Sequence, residues 1–128
     1  MLRRVLHVDD DDDIRAIACV ALEAIGGFEL LQCSGGAAAL ASLESFIPDL
    51  ILLDSMMPDM NGEQTFAQIR RRPAFSNTPI VFVTAKVHEE AKRNFLRLGA
   101  AAVVVKPFDP LTLSDQLREI WDRYPHQS

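Results

Sequence analysis

Leu50-Ile51-Leu52-Leu53-Asp54-Ser55-Met56-Met57-Pro58 is the stretch on which the fold turns. Four consecutive apolar residues that run into an aspartate and a proline-bearing loop read as a strand covered on both faces, since a strand with one wet face alternates polar and apolar residues. Pro79-Ile80-Val81-Phe82-Val83 repeats the pattern, and Ala102 to Val105 makes a further short apolar run. Upstream, Arg4 to Val8 and Phe28 to Cys33 supply two more strands.

Between these runs the apolar residues change to a helical period. Ile14, Ile17, Ala18, Ala21, Leu22 and Ile25 fall on one helical face, stopped by Gly26-Gly27. Ser34 can cap a second helix with Leu40, Leu43 and Ile47 on its apolar side, which Pro48 ends. A third helix carries Phe66 and Ile69. The fourth steps through Val87, Ala91, Phe95 and Leu98 to a terminating Gly99. Asp109-Pro110 reads as an N-cap followed by proline at the first helical position. The last helix then buries Leu113, Leu117, Ile120, Trp121 and Tyr124. Strands alternating with helices to the end of the chain predict an α/β fold, a (βα)5 doubly wound parallel sheet with right-handed crossovers and helices on both faces. The alternation fills residues 1–128 as one domain, with a core of about 3–124 and a frayed tail at 125–128.

Charge narrows the function. Thirteen Lys+Arg against 18 Asp+Glu gives a net charge of −5, and the consecutive acids Asp9 to Asp13 account for all of it. The remainder is neutral, which argues against direct nucleic-acid binding through a basic patch. The single basic cluster, Arg70-Arg71-Arg72, reads as a helix end with cations set against the macrodipole. No apolar stretch approaches the roughly 20 residues that span a bilayer, so membrane insertion is not expected. Cys19 and Cys33 have no metal-ligand spacing and read as reduced core thiols of a cytoplasmic protein.

In an open parallel sheet, ligands bind beyond the carboxyl ends of the strands. The residues there are Asp9 and Asp10 after the first strand, Asp54 after the third, Thr84 after the fourth and Lys106 after the fifth. Crowded carboxylates repel and drift toward protonation unless a cation sits among them. Mg²⁺ suits such a site because it accepts a few carboxylates and leaves positions for water and phosphate oxygens. Asp54 is then a plausible nucleophile toward a phosphoryl group, with Thr84 and Lys106 placed to contact its oxygens. Asp11, Asp12 and Asp13 lie at the helix entrance and are read as structural. His7 is read as a packed or edge histidine turned away from the acids by the pleat, and His88 and His126 as solvated.

The phrases Val8-Asp9-Asp10, Leu53-Asp54-Ser55-Met56-Met57-Pro58 with Gly62, Val83-Thr84-Ala85 and Val105-Lys106-Pro107-Phe108 stand in the order and spacing of response-regulator receiver domains, which the chain resembles over roughly residues 3 to 124. The resemblance implies the flavodoxin-like strand order 2-1-3-4-5, which flavodoxins and chemotaxis receivers share. It implies that Asp54 accepts a phosphoryl group from a sensor histidine kinase or a histidine phosphotransfer protein. Asp10 and Asp54 would then ligate Mg²⁺ directly, Asp9 through water, and Met56 through its backbone carbonyl. Thr84 and Lys106 match the hydroxyl and ammonium that sense the phosphoryl group, and the Lys106-Pro107 bond would be cis. The output would be a changed protein–protein contact with an unidentified downstream protein, with a phosphorylation-dependent dimer as one form of it. The chain is either a stand-alone receiver or one cut from a longer protein.

Two departures stand out against that family. Val103 occupies the place, three residues before the lysine, where receivers often carry the aromatic half of a threonine–aromatic switch. Met56 and Lys86, two residues after the phosphoacceptor and the threonine, carry neither carboxylate nor amide to orient an attacking water, which predicts slow self-dephosphorylation. Three other classes compete: an aspartate-nucleophile phosphohydrolase, a receiver-like interaction module that is not phosphorylated, and a nucleotide-binding domain. The first wants an acid where Met56 stands, the second has no use for the complete acid, hydroxyl and ammonium set, and the third lacks a glycine-rich phosphate loop.

Overall fold

The computed structural model describes residues 1–85 and 88–125. Its strands are β1 (Arg4–Val8), β2 (Glu29–Cys33), β3 (Leu50–Asp54), β4 (Ile80–Thr84) and β5 (Ala102–Val105). The helices are α1 (Asp12–Cys19), α2 (Gly36–Ser42), α3 (Gly62–Arg70), α4 (Glu89–Leu98) and α5 (Leu113–Arg123). All strand pairs are parallel, and the order is β2-β1-β3-β4-β5, as the resemblance implied. Every residue of β3 and β4 is buried, in keeping with their unbroken apolar runs.

The two faces of the sheet carry separate cores. Leu6, Val8, Ile51, Leu53, Ile80 and Phe82 pack with Ala39, Leu43, Phe66, Ile69 and Phe95 from α2, α3 and α4. Val5, Leu50, Leu52, Val81, Val83 and Val104 pack with Ala18, Ala21 and Leu22 on one side and Leu113 and Leu117 of α5 on the other. Register then brings the carboxyl ends of the strands level: Val8 lies opposite Leu53, Asp54 opposite Val83, and Thr84 opposite Val105. The polar residues that end the strands are therefore side by side.

Several helix details differ from the sequence expectation. After Cys19 the first helix widens into a π-helical stretch, Val20–Ile25, closed by an N–H bond from Gly26 back five residues to the Ala21 carbonyl at 3.1 Å. This rotates the face: Ala18, Ala21 and Leu22 are buried, whereas Ile17 and Ile25 are exposed. Ser114 holds the stretch in place by donating to the Ala21 carbonyl at 2.6 Å. A Cβ on Gly26 would lie 2.1 Å from the Ser114 Oγ, so the glycine is a packing requirement as well as a stop signal.

Ser34 does not cap α2; Gly35 occupies that position. The helix also stops at Ser42, well short of Pro48, and leaves Ile47 exposed. Ser42 Oγ donates to the Ala39 carbonyl at 2.6 Å, and the chain tightens into i→i+3 turns at Leu43, Glu44 and Ser45. Asp109-Pro110 forms a turn and does not open the last helix. The Asp109 carboxylate accepts from Leu111 N at 2.9 Å, and α5 starts only at Leu113. Leu113 and Leu117 are buried, while Ile120, Trp121 and Tyr124 are half-buried. In α4, Phe95 is buried and Gly99 ends the helix at φ 110°, but Leu98 faces outward and Val87 lies outside the described residues. Arg70 ends α3 as expected and ties down the following loop, donating to the Phe75 and Thr78 carbonyls at 2.7 and 2.8 Å.

Phe82 is the keystone of the first core, fully buried and stacked between Phe66 at 5.6 Å and Phe95 at 4.5 Å between ring centroids. Phe82→Ala is expected to lower the unfolding free energy by about 3–5 kcal/mol. Urea unfolding checks this, with a lower midpoint at unchanged slope as the expected result.

Candidate functional site

The pleat decides which strand-end residues meet. Asp9 follows Val5 and His7 on the α1/α5 face of the sheet, Asp54 follows Leu50 and Leu52, and Lys106 follows Val104. These three side chains converge. The Lys106 Nζ lies 3.0 Å from Asp9 Oδ2 and 3.2 Å from Asp54 Oδ1. Asp9 and Asp54 are buried, Asp10 is exposed at the rim, and one carboxylate oxygen from each of the three lies within 4.8 Å of the others. Thr84 is also buried, but the same alternation turns it to the opposite face, in line with Ile80 and Phe82. Of the five strand-end residues, four form one cluster and the threonine borders it from the other side.

Local structure holds this cluster in place. Asp9 Oδ1 accepts from Asp11 N at 2.9 Å. Asp11 itself caps α1 through Asp13 N and Ile14 N at 2.8 and 3.2 Å. The run of five acids thus divides between site and helix entrance, as expected from the sequence. After β3, Gly62 N donates to the Ser55 carbonyl at 3.1 Å, and a Cβ on Gly62 would lie 2.4 Å from the Asp54 carbonyl. Only glycine lets α3 begin so close to the strand end. Asn61 caps α3 in a reciprocal capping box with Gln64. Met56 N points to Asp54 Oδ1 at 3.4 Å while its side chain is 66% exposed. The Lys106-Pro107 bond is cis. Val103 lies half-buried against the first core, and Lys86 is outside the described residues.

Two polar neighbours of the site, Arg15 and Gln32, give no signal in the sequence, and a third, His7, lies on the opposite face from the one expected. Arg15 reaches back from α1, and its Nη1 donates to the Asp9 carbonyl at 2.6 Å. Gln32 of β2 contacts His7 Nδ1 at 3.1 Å and donates to the Arg15 carbonyl at 2.8 Å. His7 is packed, as expected, but β1 is an internal strand and the pleat puts the ring on the face of Asp9, not away from it. Residues i and i+2 of a strand share a face, which corrects the sequence expectation.

The electrostatics follow from burial and crowding. Burial first, then the neighbouring Asp9 charge, pushes the Asp54 carboxyl up to about 6, with Lys106 opposing. The Lys106 ammonium is raised by Asp9 and Asp54 despite its partial burial. Burial lowers His7 to about 4, and Asp9 only partly offsets that. These shifts have opposite consequences for stability. A histidine whose folded pKa lies below its unfolded 6.5 destabilises the fold as pH falls from 6.5 toward about 4. A carboxyl raised from 3.8 to about 6 does the reverse and destabilises the fold as pH rises through that range. Asp54→Asn is therefore expected to stabilise the metal-free protein at neutral pH by on the order of 1–3 kcal/mol. It should also expose the His7 contribution as a steeper loss of stability in acid. Denaturant unfolding of both proteins at pH 7 and pH 4.5 measures the two effects.

Residues 5–118 match the response regulator receiver domain family. The chain is 34% identical over 123 residues to the phosphate regulon transcriptional regulatory protein PhoB of Escherichia coli K12, covering 96% of this chain and 53% of that protein. It is 34% identical over 123 residues to the alkaline phosphatase synthesis transcriptional regulatory protein PhoP of Bacillus subtilis 168, covering 96% of this chain and 50% of that one. The chain spans about half the length of these curated relatives. Among solved structures, the chemotaxis response regulator CheY4 of Vibrio cholerae superposes with a TM-score of 0.86 at 32% identity, covering 94% of this chain and 99% of that one. A chain that matches one family over most of its length and folds as its members fold belongs to it: this is a response-regulator receiver domain, the phosphorylation-activated signalling module of two-component systems.

Proposed function

We propose that Asp54 is the phosphoacceptor and that Asp9, Asp10 and Asp54, with the Met56 backbone carbonyl, hold Mg²⁺. The observation that carries this reading is the meeting of three carboxylates within 4.8 Å around a single lysine. The donor set fits a hard divalent cation: all the donors are oxygens, and the Asp54 carboxyl, raised by burial first and by the Asp9 charge second, is one whose ionised form a cation favours. When bound, the ion supplies charge neutralisation to the carboxylates and to phosphoryl oxygens.

The chain's own residues do the rest. An ionised Asp54 oxygen attacks the phosphorus of a phosphohistidine on a sensor kinase or phosphotransfer protein, the O–P bond forms as the P–N bond breaks, and the ring, already protonated on its other nitrogen, leaves as neutral imidazole. Lys106, already within 3.2 Å of the attacking carboxylate, neutralises charge that moves onto the phosphoryl oxygens. Thr84 borders the site from the other face of β4 and donates its hydroxyl once the phosphoryl group is present. The family is a signalling module, and the altered surface that results, read by a downstream protein, is the output. In metal-free protein the raised Asp54 carboxyl is protonated below about 6, so a metal ion and a phosphoryl donor compete there with a proton for the same oxygens.

Incubation with Mg²⁺ and acetyl phosphate followed by intact-mass measurement tests the assignment. One phosphoryl adduct is expected in the wild type and none in Asp54→Asn. Turnover of many acetyl phosphates per protein would favour an aspartate-nucleophile hydrolase, and absence of any adduct would favour an interaction module that is not phosphorylated. The exposed Met56 side chain has no group to orient water, so the acyl phosphate should be long-lived, for minutes or more. Met56→Asn, whose amide can hydrogen-bond and orient a water, is expected to speed its loss about tenfold, equivalent to about 1.4 kcal/mol of barrier, as followed by the decay of the adduct.

A further inference from the structure

We infer that Arg15 is a positioning residue for the acid pair Asp9-Asp10, acting through the main-chain carbonyl of Asp9. The inference rests on the reading of the acid cluster as a Mg²⁺ site. Arg15 lies in the first half of α1, where a cation is unfavourable against the helix macrodipole. Its side chain is nonetheless only 21% exposed, folded back over the start of its own helix. There Nη1 donates to the Asp9 carbonyl at 2.6 Å, and Nη2 pairs with the exposed Asp12.

That carbonyl belongs to the peptide joining Asp9 to Asp10, so its orientation sets how both carboxylates leave the chain. Asp9 is otherwise well held. Its N–H donates to the Cys33 carbonyl at 3.0 Å, Oδ1 accepts from Asp11 N at 2.9 Å, and Oδ2 lies 3.0 Å from Lys106. Asp10 is exposed, two residues past the last ladder position of β1, and the peptide that carries it is fixed by Arg15. Below the guanidinium, Gln32 ties the Arg15 carbonyl to the buried His7 ring, linking α1 to β1 and β2 on the side from which Arg15 reaches.

Charge and position make opposite predictions. A cation beside a metal site weakens metal binding through repulsion, so if Arg15 acted only by its charge, removing it would tighten Mg²⁺ binding. If it acts by holding the Asp9-Asp10 peptide, removing it weakens binding, by about tenfold as is usual for groups that orient a metal ligand. The test is the Mg²⁺ dissociation constant from amide chemical shifts of the unphosphorylated protein, in wild type and Arg15→Met, with the metal-free thermal midpoint as a check on folding. Arg15→Gln also removes the charge and serves where the Met variant does not fold. Weaker binding by either folded variant supports the inference; unchanged or tighter binding overturns it. A wild type that does not respond to Mg²⁺ at millimolar concentration overturns the metal-site reading itself, and this inference with it.

Discussion

The site depends on one ammonium group between two buried carboxylates. Asp9 and Asp54 end adjacent strands on the same face, and with Lys106 absent they would oppose each other in a water-poor pocket. Lys106 comes from β5, the edge strand, which has only β4 as a neighbour in the sheet. Its reach to Asp9, across β4 and β3, therefore ties the edge of the sheet to its centre by a charge contact at one end. The apolar ladder fixes where the strands end, and the lysine makes that ending in acids tolerable.

It does so incompletely. Asp54 still sits far above an ordinary carboxyl, which places a strongly disfavoured ionisation on the residue proposed to do the chemistry. The buried neutral His7 two residues before Asp9 has the opposite pH dependence, so the two offset each other over much of the acid range. A phosphoryl group or a metal ion acts on both, directly on Asp54 and on His7 through the Asp9 and Lys106 charges that it feels. Ligation at the site is therefore coupled to the stability of the whole sheet.

Most of this was legible in the sequence because it rests on short-range patterns. The unbroken apolar runs at 50–53 and 80–83 could only be internal strands, and a polar residue ending such a run has to lie at the sheet's rim. Asp54 and Thr84 follow from that alone, and Asp9, Asp10 and Lys106 from the ends of two other strands of the same alternation. What was not legible depends on contacts between distant segments or on the tightness of single turns. The π-helical stretch needs Ser114, which is 93 residues from Ala21. The early end of α2 depends on one serine hydroxyl, and the turn at Asp109 on a carboxylate choosing a nearer N–H than the helix offers. Arg15 and Gln32 are ordinary polar residues of a helix and a strand until the fold sets them beside the site. His7 is different, since the two-residue period already placed it with Asp9.

The division of the strand-end residues between two faces bears on how a signal leaves the site. Asp9, Asp54 and Lys106 belong to the α1/α5 side, whereas Thr84 belongs to the side of α3 and α4. A change at the phosphoryl position can thus act on the α4 side through Thr84, whose strand carries Phe82 two residues earlier. Val103, paired with Phe82 across the ladder, is too small to fill the space beside it with a ring. The Phe82 ring instead stacks on Phe95, which fixes the later half of α4 to the sheet. The aromatic residue that receivers often carry at position 103 would put its ring on β5, across the ladder from Phe82. Here the aromatic contact lies one strand further in and is fully packed, so the second half of α4 is anchored while its start, at Glu89, is the end nearest the threonine. A change felt at Thr84 therefore meets, two residues back along β4, a helix already fixed to the sheet by the Phe82–Phe95 stack.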